Sequence, residues 1–229
     1  MDKLFHKIGG FGLFQILSYL VIGLGINCTG LYFYGWSYFV QEPDYTCTCI
    51  DTVAVEDCSN LCTKDNIMNG DSQIESWEID EDSVRSLNGW TLKLDLTYET
   101  SKHIALIGTS YFIGWAATLL WVPRLGDVYG RKKMFILSNV INTLNFVIVL
   151  FTKSLNVMII AFFILGLASS IRVNIGYNYL IEMYPDKYKI AVGTTWNVGE
   201  GLIYLSITLF FWLTAYGSWL WLVGLGFII

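Results

Sequence analysis

Apolar runs of about 20 residues, joined by short charged links, are the feature that most constrains what this chain can fold into. The runs lie at 11–32, 103–122, 134–152, 157–181 and 192–212, and a sixth begins near Ser218. About 20 apolar residues are enough to cross a bilayer as one helix. Because lipid offers no partner to a free backbone polar group, we expect an all-α, polytopic membrane helical bundle. The charged share of 14%, against about 25% in soluble domains, agrees with this class.

One long hydrophilic segment divides the chain into three parts. We expect the N-terminus and span 1 at 1–42, an extracytosolic loop at 43–102 and spans 2–6 at 103–229. The loop is acidic: Glu42 to Lys102 holds 14 of the 19 acidic side chains but only 4 of the 14 basic ones. Basic residues gather instead in the links at 124–133 and 182–190. The positive-inside rule therefore predicts that these links and the N-terminus are cytosolic. The charge pattern is topological and gives no sign of a nucleic-acid partner.

Four cysteines lie close together in the predicted loop, at Cys47, Cys49, Cys58 and Cys62. Outside the cytosol such cysteines pair as two disulfides, for which three connectivities exist. The alternative is a zinc site, since Cys-x-Cys and Cys-x3-Cys can supply four thiolates. We favour disulfides and expect no metal. Disulfides in turn favour the plasma membrane or a secretory-pathway membrane over the inner mitochondrial membrane.

Two charged side chains fall inside predicted spans. Arg172 lies mid-span, where an arginine costs at least roughly 2.5–3.5 kcal/mol and normally faces a cavity or a partner. Glu200 follows Trp196 by one turn, and a carboxylate beside an aromatic ring suits a cation or a proton. The alternatives are that Arg172 extends to an interface and that a protonated Glu200 makes a helix–helix hydrogen bond.

Opposite charges also gather at the predicted cytosolic ends of the spans. Asp127, Arg131, Glu182 and Lys189 can form an ion-pair lattice that joins helices in one state and separates in another. The alternative is a solvated link that only sets topology. His6 and His103 have no catalytic partners, and the chain lacks a G-x4-G-K-[ST] phosphate loop. We therefore expect neither an enzyme nor an ATP-driven pump, and no cofactor.

The link between spans 2 and 3 resembles the major facilitator superfamily pattern G-x-L-[AS]-D-R-x-G-R-[RK]. The matching residues are Leu125, Asp127, Gly130, Arg131 and Lys132. Pro123 and Val128 depart from the pattern.

Two further stretches resemble the same superfamily. Arg172 with Gly176 is similar to its R-x3-G element in span 4. Glu182, Pro185 and Lys189 are similar to its E-x2-P-x3-R signature, with lysine in place of arginine.

Within the superfamily the organic cation/anion transporter group is the most similar. That group has a large cysteine-containing loop between spans 1 and 2 and an F-G-x-F-Q sequence before span 1. Here the corresponding residues are Phe11-Gly12-Leu13-Phe14-Gln15, and 42–47 resembles the group's entry into the loop. The segment 88–92 is more weakly similar to the group's motif before span 2.

The resemblance implies a facilitator or secondary carrier of small organic ions or solutes that works by alternating access. It implies that this chain is the N-terminal half, of about six spans, of a fold with two halves around a central site. The implied gate residues are Leu125, Asp127, Gly130, Arg131, Lys132, Glu182, Pro185 and Lys189. The candidate substrate residues are Asn27, Tyr111, Trp115, Arg172, Asn174, Gly176, Tyr177, Trp196 and Glu200.

A half-transporter of this kind is expected to have a protein partner in the membrane. Besides the lipid bilayer we expect a second half, another copy of the chain or a larger membrane assembly to cover its charged residues. The alternative function is that of a non-transporting structural subunit that keeps the half-transporter fold.

Overall fold

The computed structural model describes residues 12–50, 55–80, 83 and 89–213. Its elements, numbered in chain order, are α1 Leu13–Phe39, β1 Tyr45–Cys49, α2 Val55–Leu61, α3 Lys64–Asn69, β2 Ile74–Ile79, α4 Trp90–Lys93, a 3-10 turn Leu96–Tyr98, α5 Ser101–Leu119, α6 Val122–Tyr129, α7 Arg131–Phe151, α8 Leu155–Glu182 and α9 Asp186–Leu213. The predicted start of the chain before residue 12 and the predicted sixth span lie outside the described residues.

The long helices coincide with the predicted apolar runs. Among the described residues, α7, α8 and α9 are each long and apolar enough to cross a membrane. Helix α1 contains a shorter apolar stretch, Leu13–Asn27, and α5 covers the predicted second span. The prediction of an all-α helical membrane bundle is confirmed.

The helix boundaries correct the predicted links. The charged stretch at 124–133 is mostly helical, because α6 runs to Tyr129 and α7 already begins at Arg131. Proline in the first turn of α6 suits that start, since its missing N–H has no partner there anyway. Gly130 makes the turn between them with φ of +87°, a conformation that costs little only for glycine. The link at 182–190 shrinks in the same way to residues 183–185.

Helix α8 is the centre of the bundle and contacts α1, α5, α6, α7 and α9. Of its most apolar stretch 56% is buried, against 17% for α9. Its closest neighbour is α5: a Cβ on Gly114 would meet the carbonyl oxygen of Phe163, and one on Gly166 would meet that of Tyr111. Small residues allow helix backbones to approach this closely in membranes.

The hydrophilic segment forms a small disulfide-linked unit. Strands β1 and β2 pair antiparallel, with Cys47 opposite Trp77. The bonds Cys47–Cys62 and Cys49–Cys58, with Cα atoms 5.6 and 5.9 Å apart, join β1 to α2 and to the residues that follow it. The disulfide prediction is confirmed over the zinc alternative, because all four sulfur atoms are in disulfide bonds.

Helix α4 fixes this unit to the bundle through one aromatic side chain. Trp90 is 0% exposed and its ring lies 5.1 Å from that of Phe39 and 5.4 Å from that of Phe162. It therefore fills the space between the end of α1 and the start of α8.

Lys93 makes the second attachment. Its Nζ donates to the carbonyl oxygens of Val149 and Leu150 at 2.9 and 2.8 Å, in the last turn of α7. The last carbonyls of a helix have no intrahelical partner and carry partial negative charge, so a cation there is stabilising. Burial lowers the pKa of the Lys93 amine. We call this end of the bundle the sheet end, and the end that carries Arg131 the basic end.

Candidate solute cavity and charged face

A cavity of about 400 Å³ opens between α1, α5, α8 and α9. It brings together four of the predicted substrate residues, namely Asn27, Tyr111, Trp115 and Glu200. The other lining residues are Ile26, Gly30, Phe33, Tyr34, Phe112, Ser169 and Val173.

Aromatic rings form one side of the cavity. Phe33 stacks on Tyr111 with ring centroids 5.0 Å apart and an interplanar angle of 30°. Phe112 meets Phe33 edge to face at 5.5 Å, and Trp115 lies 5.9 Å from Tyr111. The negative faces of such rings attract cations that carry little hydration. The sequence reasoning missed Phe33, Tyr34 and Phe112. Phe33 and Tyr34 follow Gly30 by three and four residues, and Phe112 precedes Trp115 by three, spacings that place them on shared helical faces.

Glu200 supplies the charge of the cavity. Among the described residues that line the cavity, it is the one with an acidic or basic side chain. Trp196, one turn earlier on α9, is buried instead against Tyr177 with ring centroids 5.8 Å apart. The Trp196 side chain is also a hydrogen-bond partner of the Glu200 carboxyl group. The predicted contact between the two residues is therefore present, although Trp196 is not among the described residues that line the cavity.

Arg172 lies behind the cavity rather than in it. Its side chain is 0% exposed, and its Nη1 donates to Oδ1 of Asn139 on α7 at 3.3 Å. This burial excludes the alternative in which the side chain extends to an interface. The sequence reasoning missed Asn139; the signal was a series of polar residues at helical spacing on span 3.

That polar series continues along α7 toward the sheet end. Ser138, Asn142 and Asn145 are all buried, and Nδ2 of Asn145 donates to the carbonyl oxygen of Ala161 on α8 at 2.7 Å. Polar side chains between membrane helices contribute to their association when they find such partners.

Three further predicted substrate residues make contacts within α8 or between helices. Asn174 donates to the carbonyl oxygen of Ser170 on its own helix at 2.8 Å. A Cβ on Gly176 would lie 2.8 Å from the side chain of Ile26 and equally close to that of Phe135, so α1 and α7 both press on it. Tyr177 packs toward α9, where its hydroxyl would be 2.8 Å from a Cβ on Gly193. None of the three lines the cavity as described.

Arg131 joins three helices at the basic end. Its Nη1 lies 2.6 Å from Oε1 of Glu182 at the end of α8, and its Nη2 lies 3.3 Å from Oδ1 of Asp127 on α6. These are three of the four charges in the predicted lattice. The fourth, Lys189, instead pairs with Asp186 on its own helix α9.

The remaining residues predicted to form the gate make other contacts. Leu125 packs in the small apolar cluster of Val122, Met134 and Ile175, and Lys132 is exposed. The carbonyl oxygen of Pro185 accepts the N–H of Tyr188 at 2.9 Å in the first turn of α9. A second cavity of about 570 Å³ at this face is lined by Asp127, Arg131, Lys132 and Glu182 among others.

The family model described as Major Facilitator Superfamily matches residues 84–229. The matched range is more than half of the chain and spans α4 to α9, including the parts of α5, α8 and α9 that line the solute cavity.

Proposed function

The chain belongs to the major facilitator superfamily, a family of transporters, and from that premise we propose that it carries small organic cations across a membrane. It works by alternating access, as a facilitator or secondary carrier, and supplies the N-terminal half of the transport unit. The carboxylate of Glu200 and the rings of Phe33 and Tyr111 bind the solute.

The observation that carries this proposal is the chemistry of the cavity wall. A single carboxylate beside several aromatic faces suits an organic cation, because ring quadrupoles and the carboxylate attract positive charge together. The side chain of Arg172, which would attract an anion, lies outside the wall. A cavity of about 400 Å³ is within the range of roughly 300–1,000 Å³ that small-molecule sites occupy.

The ion pairs of Arg131 at the basic end of the bundle support a gate there. Arg131 ties α6, α7 and α8 together through Asp127 and Glu182, so the basic end can close as one unit and open when these pairs part. We propose that this face is cytosolic, as the basic links indicate, and that the disulfide-linked unit faces outward. A plasma or secretory-pathway membrane fits that orientation.

The proposal includes a partner in the membrane. Glu200 is only partly buried on α9, and an acidic side chain within a span is costly unless protein or water surrounds it. A second half, another copy or a larger membrane assembly would close the cavity on that side.

Uptake by vesicles tests the proposal. The chain is purified from its native membrane with whatever partner it retains and reconstituted into liposomes. We expect saturable uptake of labelled quaternary ammonium compounds, and uptake of organic anions of equal size no higher than in protein-free liposomes. Equal uptake of both classes would refute the cation assignment, and no uptake of any solute would refute the transporter assignment.

One observation favours a second candidate, a structural subunit that keeps the fold without transporting. Lys189, at the position where the superfamily has arginine, pairs locally with Asp186 rather than joining the Arg131 group. A lysine also lacks the planar fork with which arginine bridges two carboxylates. Purification as a stoichiometric part of a larger complex, together with absent uptake, would favour this candidate.

A further inference from the structure

Arg172 starts beside the cavity wall but points its charge elsewhere. Ser169, one turn earlier on α8, and Val173, the next residue, both line the cavity. Residues three apart on a helix share a face. Nevertheless the side chain of Arg172 is 0% exposed and is not among the described lining residues. Its backbone position would allow the guanidinium to enter the cavity. The guanidinium instead donates to Asn139 and lies behind the wall, close enough to act electrostatically on Tyr111.

Asn139 receives that guanidinium at the meeting point of three helices. Its Oδ1 accepts the hydrogen bond from Nη1 of Arg172 at 3.3 Å. Gly25 of α1 lies beside this amide: a Cβ there would be in ordinary van der Waals contact with the same Oδ1 at 3.8 Å and with the ring of Phe135 at 3.6 Å. A neutral amide can orient a guanidinium, but it cannot cancel its charge. The contact therefore determines where the charge of Arg172 lies and does not reduce it.

We propose that Asn139 is a positioning residue that holds the charge of Arg172 outside the solute cavity, so that Glu200 sets the sign of the cavity's potential. Arginine side chains have several rotatable bonds, and loss of this acceptor removes one contact that holds the guanidinium away from Ser169 and Val173. A guanidinium there would oppose the carboxylate of Glu200 and remove the preference for positive charge. The consequence for cation selectivity rests on the proposed function, whereas the sign of the cavity's potential does not.

Charged thiol reagents measure that sign without any transport. The full chain carries Val173→Cys as the target and Cys28→Ser to remove the cysteine outside the two disulfides. The reagents are the trimethylammonium-ethyl and sulfonato-ethyl methanethiosulfonates, which share one reactive group and differ in charge. The measured quantity is the ratio of their reaction rates in reconstituted vesicles.

We expect the cationic reagent to react faster, and Asn139→Leu to lower the ratio on the order of tenfold, as a unit charge brought within about 10 Å would at an intermediate dielectric. In a chain that also carries Arg172→Gln, the same Asn139→Leu change is expected to leave the ratio unchanged. The matched control is Asn145→Leu, whose amide lies on the same helix but donates to the carbonyl oxygen of Ala161. It is expected to leave the ratio unaltered.

Several results would overturn the inference. A ratio unaffected by Asn139→Leu would show that the amide does not position the charge. A fall that persists with Arg172→Gln, or an equal fall with Asn145→Leu, would assign the change to loosened helix packing. A thiol inert to both reagents would contradict an open cavity at Val173. Absent uptake in the vesicle experiment would refute only the proposed function, because the rate ratio needs no transported solute.

Discussion

Gly114 of α5 and Gly166 of α8 face each other where the two helices touch backbone to backbone. A Cβ on either glycine would come into collision with a main-chain carbonyl oxygen of the other helix. The contact matters for the cavity because Tyr111 and Trp115, both in its wall, flank the same point on α5. The distance between the two backbones therefore determines how far Tyr111 and Trp115 lie from α8.

A methyl group at this contact should destabilise the bundle. Gly166→Ala is expected to cost about 1–3 kcal/mol, because the obstructing atoms are backbone and cannot move aside like a side chain. The measurement is the thermal unfolding midpoint in detergent. Gly199→Ala on α9 is the control, since a Cβ there meets nothing within 4 Å. A fall of equal size in both variants would contradict the close contact.

Loss of the Arg131–Glu182 ion pair should alter transport more than stability. Because both side chains are partly exposed, Glu182→Gln is expected to change the free energy of unfolding by no more than about 1 kcal/mol. The gate should open more readily, so the uptake rate should change several-fold. Asp186→Asn, which removes the local pair with Lys189, is the comparison. Identical uptake in wild type and Glu182→Gln would argue against a gate at this face.

Lys93 should stabilise the sheet end of the bundle. Lys93→Met keeps the length of the side chain but leaves the carbonyls of Val149 and Leu150 without this donor, at a cost of about 1–3 kcal/mol. Thermal unfolding in detergent measures it, and Lys102→Met, at an exposed position on α5, is the control. If the two variants unfold at the same temperature, the lysine does not act as a helix cap.

The disulfide pattern can be read directly from peptides. Digestion without reduction should release Cys47 linked to Cys62 and Cys49 linked to Cys58, and mass spectrometry identifies both. Removal of the Cys47–Cys62 bond by paired serine substitutions is expected to destabilise the loop by about 3 kcal/mol, from the chain entropy of a loop of roughly 15 residues. A Cys47–Cys49 or Cys47–Cys58 linkage in the native protein would contradict the fold of this unit.

The sequence predicted the helices well because apolar length and charge are local properties. It did not predict that the charged link contains α6. Charged residues such as Arg124 and Asp127 indicate a loop, and the burial of Val122 and the contact of Gly126 with Ile175, which show a packed helix, are visible only in the structure. Arg172 could be identified as a buried charge, but not as one turned away from the cavity. Its guanidinium hydrogen-bonds to Asn139, which lies 33 residues away in the chain.

The disulfide unit shows the same limit. Four nearby cysteines predicted two bonds, whereas their pairing depends on how α2 and the residue after it pack against β1. Likewise the roles of Trp90 and Lys93 depend on which helix ends meet at the sheet end. These are tertiary contacts between segments that lie far apart in the chain. The residue pattern of a single span therefore cannot predict them.

The most direct test of the central claim compares uptake of one labelled quaternary ammonium compound by wild type and by Glu200→Gln in reconstituted liposomes. Glu99→Gln, which changes a partly exposed carboxylate paired with His103 at the sheet end, serves as the control. We predict saturable uptake in wild type and in Glu99→Gln, and at least about a tenfold loss in Glu200→Gln, equivalent to about 1.4 kcal/mol. Uptake by Glu200→Gln equal to that of wild type would contradict a cation site built on this carboxylate.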